Sequence, residues 1–207
     1  MKHSLLLVAV VALVAFAAPA HAQFMFLDTN NDGVCDSNDI LTGASTSIDV
    51  WLDTDSNGGG GAASCAVSAN SLTINSYEII LRANGTLTFG DPGAGGWTDN
   101  MSFSTVLGNA VAGTDVYMGR GSGTVLAPGT YRLGSIAISG VGSGATVAIV
   151  ASTSASATAL TSFGSACEGN DFDNTMKLGS DWNDTCGTAS STPVTSTTWG
   201  QIKNIYR

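Results

Sequence analysis

The chain has 207 residues, 43% of them hydrophobic, and its 16 acidic and 7 basic residues give a net charge of −9. That charge excludes a nucleic-acid-binding protein that works by neutralising phosphates. The length is sufficient for one domain with a substantial hydrophobic core.

Residues 1–22 have the pattern of a secretory signal peptide. Lys2 provides the positive start, residues 5–18 form the apolar run, and a small-x-small cleavage site ends at Ala22. Both histidines lie in this segment, so the mature chain has none and carries six basic against sixteen acidic residues, a net charge of −10. We expect a secreted or cell-surface protein without a membrane span, because no other apolar run is as long.

The next segment, residues 23–44, contains the most specific motif of the chain. After an apolar stretch expected to be a strand (24–27), the twelve residues Asp28–Asp39 place oxygen side chains at positions 1, 3, 5, 9 and 12 and Gly33 at position 6. Such spacing is typical of a calcium loop, in which the glycine allows the sharp turn. The predicted Ca²⁺ ligands are the side chains of Asp28, Asn30, Asp32, Asp36 and Asp39 and the carbonyl group of Val34. The alternative is an Asx-rich surface turn.

With Asp rather than Glu at position 12 and a strand before it, the loop resembles the calcium repeats of dockerins and of thrombospondin type 3 domains. A dockerin needs two such repeats, and this sequence contains one complete copy. The resemblance therefore implies calcium binding but no dockerin-type partner binding.

Two further acidic stretches are candidates for a second cation site. One follows a predicted strand and matches the first half of a calcium loop, and the other lies near the C-terminus. The residues concerned are Asp53, Asp55, Asn57, Asp171, Asp173, Asp181 and Asp184. The alternatives are a glycine-rich turn for the first stretch and a solvated acidic loop for the second.

Four cysteines remain after the signal, and an even number behind a signal peptide indicates disulfides. Three pairings are conceivable, and we favour Cys35–Cys65 and Cys167–Cys186, because each closes a loop beside an acidic stretch. Free buried thiols are the alternative. No C-x-x-C pair is present, which argues against a zinc site.

Residues 45–187 are predicted to form the main domain, because short alternating runs follow one another at turn-bounded intervals. Residues 47–53 place Ile48, Val50 and Leu52 on one face. The next run, 72–83, leads into Asn84–Gly85, a dipeptide typical of hairpins, and then into 87–89.

Further strands are expected at 101–107, 116–118, 131–139 and 145–151. About seven to nine strands without a helical period indicate an all-β antiparallel sandwich.

The end of the chain differs in composition. Residues 162–187 are expected to form a long acidic loop or short strands clamped by a disulfide, residues 188–198 a Ser/Thr linker, and residues 199–207 an apolar, basic tail. The tail would dock on a partner or pack on its own domain.

The residues argue against catalysis. Without a histidine the mature chain has no Ser-His-Asp or Cys-His site, and Glu78 and Glu168 do not form a recognisable carboxylate pair. We therefore predict a protein that is not an enzyme.

The predicted strands favour a binding function over an enzymatic one. The runs 48–52, 76–81 and 131–138 resemble the strand series of bacterial cohesin sandwiches over residues 45–152, which implies a module that binds protein across a sheet face. A fibre or surface-layer subunit that assembles by strand addition is one alternative. A carbohydrate-binding module is the other, with possible stacking platforms at Trp51, Trp97, Tyr117 and Trp182.

Overall fold

The protein is an all-β antiparallel sandwich, as the sequence predicts. The computed structural model describes residues 24–56, 62–63, 72–150, 152–153 and 156–164. Every pairing between its strands is antiparallel. Two short 3-10 helices, Pro92–Ala94 and Met101–Phe103, interrupt the strands.

Two sheets of five strands face each other, and the strands are numbered in chain order. The first sheet consists of β1 (Phe24–Asp28), β2 (Ser47–Asp53), β8 (Thr130–Ser139) and β4 (Thr88–Phe89), with β5 (Trp97–Asp99) also paired to β8. The second consists of β12 (Ser162–Gly164), β3 (Ile74–Asn84), β7 (Asp115–Leu126) and β6 (Thr105–Ala112), with β9 (Thr146–Ile149) also paired to β3. A separate pair is formed by β10 (Ser152–Thr153) and β11 (Ser156–Leu160).

The core lies between the sheets and follows the predicted alternation. Ile48, Val50 and Leu52 of β2 are fully buried, and Ile79 and Leu81 of β3 belong to the same cluster. A strand exposes alternate side chains on opposite faces, so one apolar face on each strand is sufficient to build the core. The predicted strand at 47–53 is confirmed at both ends.

The hairpin predicted at Asn84–Gly85 is wrong. Gly85 does turn the chain, with φ of +83°, but β4 pairs with β8 in the first sheet and not with β3. The side of β3 expected for β4 is taken by β9, whose Thr146 lies opposite Asn84. The turn therefore carries the chain from one sheet to the other.

The alternation from Met101 to Leu107 also does not produce one strand. Asn100 caps the 3-10 helix Met101–Phe103 by accepting a hydrogen bond from the amide of Ser102. Phe103 is fully buried and packs edge-on against Tyr77 at 5.3 Å between ring centroids. Strand β6 begins only at Thr105, because the buried Phe103 side chain holds the preceding residues in the 3-10 helix and not in a strand.

The predicted loop segment 23–44 does not pack apart from the sandwich. Strand β1 pairs with β2 from Phe24 opposite Asp53 to Asp28 opposite Asp49, and Met25 and Leu27 are buried in the main core. The loop is therefore held at both ends by one sheet. The predicted signal (1–22), linker (188–198) and tail (199–207) lie outside the described residues.

A substitution at Gly134 in β8 tests the packing of the first sheet. A Cβ atom there would lie 2.2 Å from Cζ2 of Trp97, whose side chain is buried. We expect Gly134→Ala to lower the free energy of unfolding by about 1–3 kcal/mol or more, measured by denaturant unfolding. Gly123→Ala is the matched control, because a Cβ at Gly123 meets no atom within 4 Å. Equal stability of the two variants would contradict this packing.

Candidate metal centre and protein-binding surface

The candidate calcium loop connects β1 to β2 and is anchored by its two outermost carboxylates. Asp28 is the last residue of β1 and Asp39 closes the loop, and both are fully buried. The Asp39 side chain accepts hydrogen bonds from the amides of Thr29 (2.8 Å) and Asp36 (3.1 Å). One carboxylate therefore ties the start of the loop to its end, which brings positions 1 and 12 of the motif together.

Between these anchors the chain coils through a series of Asx turns. The side chains of Asn30, Asp32 and Asp36 each accept a hydrogen bond from the amide two residues later, at 3.1, 2.8 and 2.6 Å. Asp28 accepts from the amides of residues 31 and 33, at 2.6 and 2.8 Å. These bonds orient the oxygen side chains along one tight loop, since Asx side chains replace backbone turns in this way.

Gly33 occupies the position that the motif reserves for glycine, and two observations explain it. Its φ is +77°, in the left-handed region, where a Cβ is unfavourable. A Cβ there would also lie 3.3 Å from the ring of Trp51. The preceding Asn31 shares the left-handed conformation with φ of 61°, which asparagine tolerates better than most residues.

The residues of the loop fit a hard cation. Asp28 and Asp39 are buried, yet the three ion pairs of the described region use Asp115, Asp99 and Asp49 instead. Burial raises the pKa of Asp39, and the charges of Asp28 and Asp32 raise it further, against the two backbone hydrogen bonds. Buried anions without a counter-charge are costly, and a bound Ca²⁺ would supply that charge.

Two further observations concern the residues that would coordinate the ion. The buried hydroxyl of Thr29, next to Asp28, has no hydrogen-bond partner among the described residues. Across the same residues no group of three or more His, Cys, Asp or Glu side chains is arranged to hold a metal ion. The carboxylates point to backbone amides, but each oxygen keeps a further lone pair. An ion would thus have to draw the side chains inward.

Trp51 connects the loop to the sheet. Its indole Nε1 donates to Oδ2 of Asp28 at 3.2 Å, and its ring stacks on Phe26 with centroids 6.1 Å apart. Cys35 packs on the same small cluster. Cys35 is disulfide-bonded, and because the other three cysteines lie outside the described residues, its pairing with Cys65 stays a prediction, as does Cys167–Cys186.

The described part of the proposed second cation site forms a turn. Asp53 accepts hydrogen bonds from the amides of Asp55 and Ser56 and from the hydroxyl of Thr130. The hydrogen bond to Asp53 is the main cause of a raised pKa of Asp55. The remaining candidates, Asn57, Asp171, Asp173, Asp181 and Asp184, lie outside the described residues.

The predicted sugar-stacking platforms are occupied by other contacts. Trp97 is buried, with its ring against Gly134 and its indole bonded to Asp99 at 2.7 Å, so its assignment as a platform is wrong. Trp51 stacks on Phe26. Tyr117 is half-buried and donates its hydroxyl to Glu78 at 2.8 Å. Trp182 lies outside the described residues.

The Tyr117 contacts also shape the outer face of the second sheet. A Cβ at Gly108 or Gly119 would lie within 3 Å of the Tyr117 side chain. The Tyr117 ring therefore lies close over both glycines, and a side chain at either position would require the ring to move. A Cβ at Gly121 would meet Leu107 at 3.6 Å, which places the Leu107 side chain on this same face.

Sequence reasoning missed a buried cation and an exposed apolar surface. Arg120 is 2% exposed between the sheets, where Asp99 neutralises it and Asn109 accepts a further hydrogen bond. Nothing in the local pattern distinguishes it from a solvent-exposed arginine. Five of the seven large exposed apolar side chains of the described region lie on the 3-10 helix before β6, on β6 and on β7: Met101, Val106, Leu107, Val111 and Val125. The three on β6, Val106, Leu107 and Val111, are called the apolar surface below.

The indole bond to Asp28 gives a test of the loop. Groups that hydrogen-bond to metal ligands typically contribute 10- to 100-fold in metal affinity. We expect Trp51→Phe to weaken calcium binding at least about tenfold, measured by calorimetric titration of chelator-stripped protein. Trp97→Phe is the matched control, because it removes the same donor from Asp99, away from the loop. Equal affinities of the Trp51→Phe and wild-type proteins would exclude this role.

Comparison with known proteins gives neighbours in fold only. No protein-family model and no curated protein matches the chain. One similar structure is the non-cellulosomal cohesin from the hyperthermophilic archaeon Archaeoglobus fulgidus, with 11% identity, 62% of this chain and 72% of that chain covered, and a TM-score of 0.37.

Another is the type III cohesin module from the cellulosomal ScaE cell-surface anchoring scaffoldin of Ruminococcus flavefaciens, with 11% identity, 84% of both chains covered and a TM-score of 0.44. Such values do not bear on what this chain binds.

Proposed function

We propose that this chain is a secreted β-sandwich module, stabilised by one calcium ion, that binds protein outside the cell and catalyses no reaction. The observation that carries the calcium part is the pair of fully buried carboxylates, Asp28 and Asp39, at the two ends of one loop. The apolar surface around β6 supports the binding part.

In this proposal calcium acts as a clamp at the edge of the first sheet. Strand β1 ends at Asp28, and Asp39 is followed closely by Leu41, which packs in the main core. An ion held between the two carboxylates would join the edge strand to the chain that enters β2. Ca²⁺ takes six to eight oxygen ligands, and the loop offers Asp28, Asn30, Asp32, Asp36, Asp39 and the carbonyl of Val34.

An extracellular location agrees with the same loop. Extracellular modules hold calcium with dissociation constants of roughly 10⁻⁴ to 10⁻³ M, so a single loop can stay filled outside the cell. The proposed signal at residues 1–22 would direct the chain to that compartment. None of the helices in the described part is long and apolar enough to cross a membrane.

A binding role rather than catalysis follows from the side chains. Residues 23–207 contain no histidine, which removes the commonest general base. The described arginines, Arg82, Arg120 and Arg132, are each paired with an aspartate of the fold. These three arginines and their three aspartate partners therefore serve the fold.

The apolar surface is the best-supported protein contact. Val106, Leu107 and Val111 are 57%, 55% and 48% exposed on one strand. Contiguous exposed apolar side chains on a soluble protein typically mark an interaction site. The partner is another extracellular protein or a further copy of this chain.

Calcium binding is tested by thermal or denaturant unfolding of residues 23–207 with calcium and with chelator. With calcium at a hundred times its dissociation constant, the free energy of unfolding should rise by about 2.7 kcal/mol. Asp39→Asn is the control, since it keeps the shape of the side chain but removes the closing charge, and it should respond little. Unchanged unfolding after chelation, with no calcium in the purified protein, would refute the clamp.

Partner binding is tested by affinity capture from the extracellular fraction of the producing organism, followed by mass spectrometry. We expect wild-type protein to retain a specific protein, which includes its own chain as one outcome, and Leu107→Glu to lose it. Thr98→Glu carries the same new charge at an exposed position of the first sheet and should behave as wild type. Equal capture by both variants would show that the apolar surface is not the contact.

A further inference from the structure

We infer that the ion pair of Asp49 and Arg132 adjusts the calcium affinity of the loop: the Asp49 carboxylate strengthens binding, and the Arg132 guanidinium weakens it. The inference rests on the proposed calcium clamp and concerns the regulation of that same site. It follows from the position of the pair beside Asp28 on the outer face of the first sheet.

Asp28 and Asp49 are directly opposed carboxylates, paired across β1 and β2. Both lie on the outer face, because Leu27 before Asp28 and Val50 after Asp49 belong to the core between the sheets. Opposed residues of antiparallel strands have Cβ atoms about 4.5–5.5 Å apart, and like charges there are destabilising. The two residues are 0% and 6% exposed, so salt and water screen this repulsion little.

Arg132 of β8 neutralises one of these two carboxylates. Its Nη2 donates to Oδ1 of Asp49 at 3.0 Å, and its Nε lies 2.7 Å from Oδ2, where the N–H is not aligned for a hydrogen bond. Asp28 instead accepts hydrogen bonds from uncharged donors, two amides of the loop and the indole of Trp51. The charge of Asp28 is thus left for the proposed Ca²⁺, whereas that of Asp49 is already compensated.

The guanidinium lies close enough to the loop to act on the ion. Arg132 is paired with Trp51 in the register of β2 and β8, and the loop approaches the ring of Trp51 at Gly33. One strand spacing, about 4.8 Å, separates β2 from β1. A group that contacts Asp49 therefore lies within about one Debye length of Asp28, roughly 8–10 Å.

The sign of each effect follows from the charges. Removal of the Arg132 charge leaves Asp49 as an uncompensated carboxylate beside Asp28, which makes the potential at the loop more negative and attracts Ca²⁺. Removal of the Asp49 charge leaves the guanidinium unpaired, so it repels Ca²⁺ and competes with it for Asp28. At this separation, in surroundings close to water, each change corresponds to roughly three- to tenfold in affinity.

An ion pair that only joins β2 to β8 would behave differently. Loss of either side chain would then loosen the sheet below the loop, and calcium affinity would fall or stay unchanged in every variant. Tighter binding after removal of the Arg132 charge is expected from electrostatics alone.

The test is calorimetric titration of calcium into chelator-stripped residues 23–207 at low ionic strength. We expect Arg132→Gln to bind calcium roughly three- to tenfold more tightly than wild type, and Asp49→Asn to bind it more weakly by a similar factor. The double variant Asp49→Asn/Arg132→Gln should return close to wild type, because the pair and its replacement both have no net charge. Both single effects should shrink at higher salt, since salt screens charges.

Arg82→Gln is the matched control. The pair of Arg82 with Asp115 has the same length, 2.7 Å, and similar exposure: its side chains are 45% and 6% exposed, against 37% and 8% for Arg132 and Asp49. Because it joins β3 to β7 in the second sheet, we expect its loss to leave calcium affinity unchanged. Arg132→Lys keeps the charge and should also bind calcium as wild type does.

The double variant also keeps the test valid if Arg132→Gln alone does not fold, since removal of the arginine must restore the affinity that Asp49→Asn has lost. Two results would overturn the inference while wild type still binds calcium: an Arg132→Gln affinity equal to or weaker than that of wild type, or a double variant no tighter than Asp49→Asn. A wild type that binds no calcium would instead refute the proposed clamp, and the inference with it.

Discussion

The buried carboxylate of Asp28 is the group on which the arrangement of the N-terminal loop depends. It lies where β1 ends and accepts hydrogen bonds from the amides of Asn31 and Gly33 and from the indole of Trp51. Two of these donors shape the loop, and the third belongs to β2. A buried carboxylate is costly unless it is hydrogen-bonded or paired, and the proposed Ca²⁺ would add a counter-charge to these three hydrogen bonds. Loop order, sheet order and the proposed calcium clamp therefore share one cause.

The two sheets of the sandwich carry different features. The first sheet carries the loop and covers it from outside with the stacked rings of Phe26 and Trp51. In the second sheet Tyr117 lies over glycines of β6 and β7, and β6 carries no charged residue. The proposed calcium loop and the exposed apolar residues of β6 therefore lie on different sheets of one core.

The local hydrophobic pattern predicted the buried side chains correctly where alternation within one strand is sufficient to decide them, as in β2. The local pattern gave a wrong prediction where two strands, β4 and β9, could pair with the same side of β3. Asn84–Gly85 has the composition of a hairpin turn, yet β9 occupies the edge of β3 and the turn serves as a crossover. The Met101–Leu107 alternation is broken because Phe103 is buried against Tyr77 and Tyr131. Both errors arise because long-range contacts override local preference.

By itself the sequence determined the all-β class, the span of β2 and the spacing of the twelve-residue loop, because period-2 alternation and Asx turns depend on near neighbours. Only the tertiary structure decided that Trp97 is a core residue, that Arg120 is buried against Asp99 and that β6 is the outermost of the described strands on its side of the second sheet. Those properties depend on residues far apart in the chain, and no local pattern records which strands meet. The loop that the sequence predicted is thus placed, by its neighbours Trp51 and Leu41, where a cation would join two parts of the sheet.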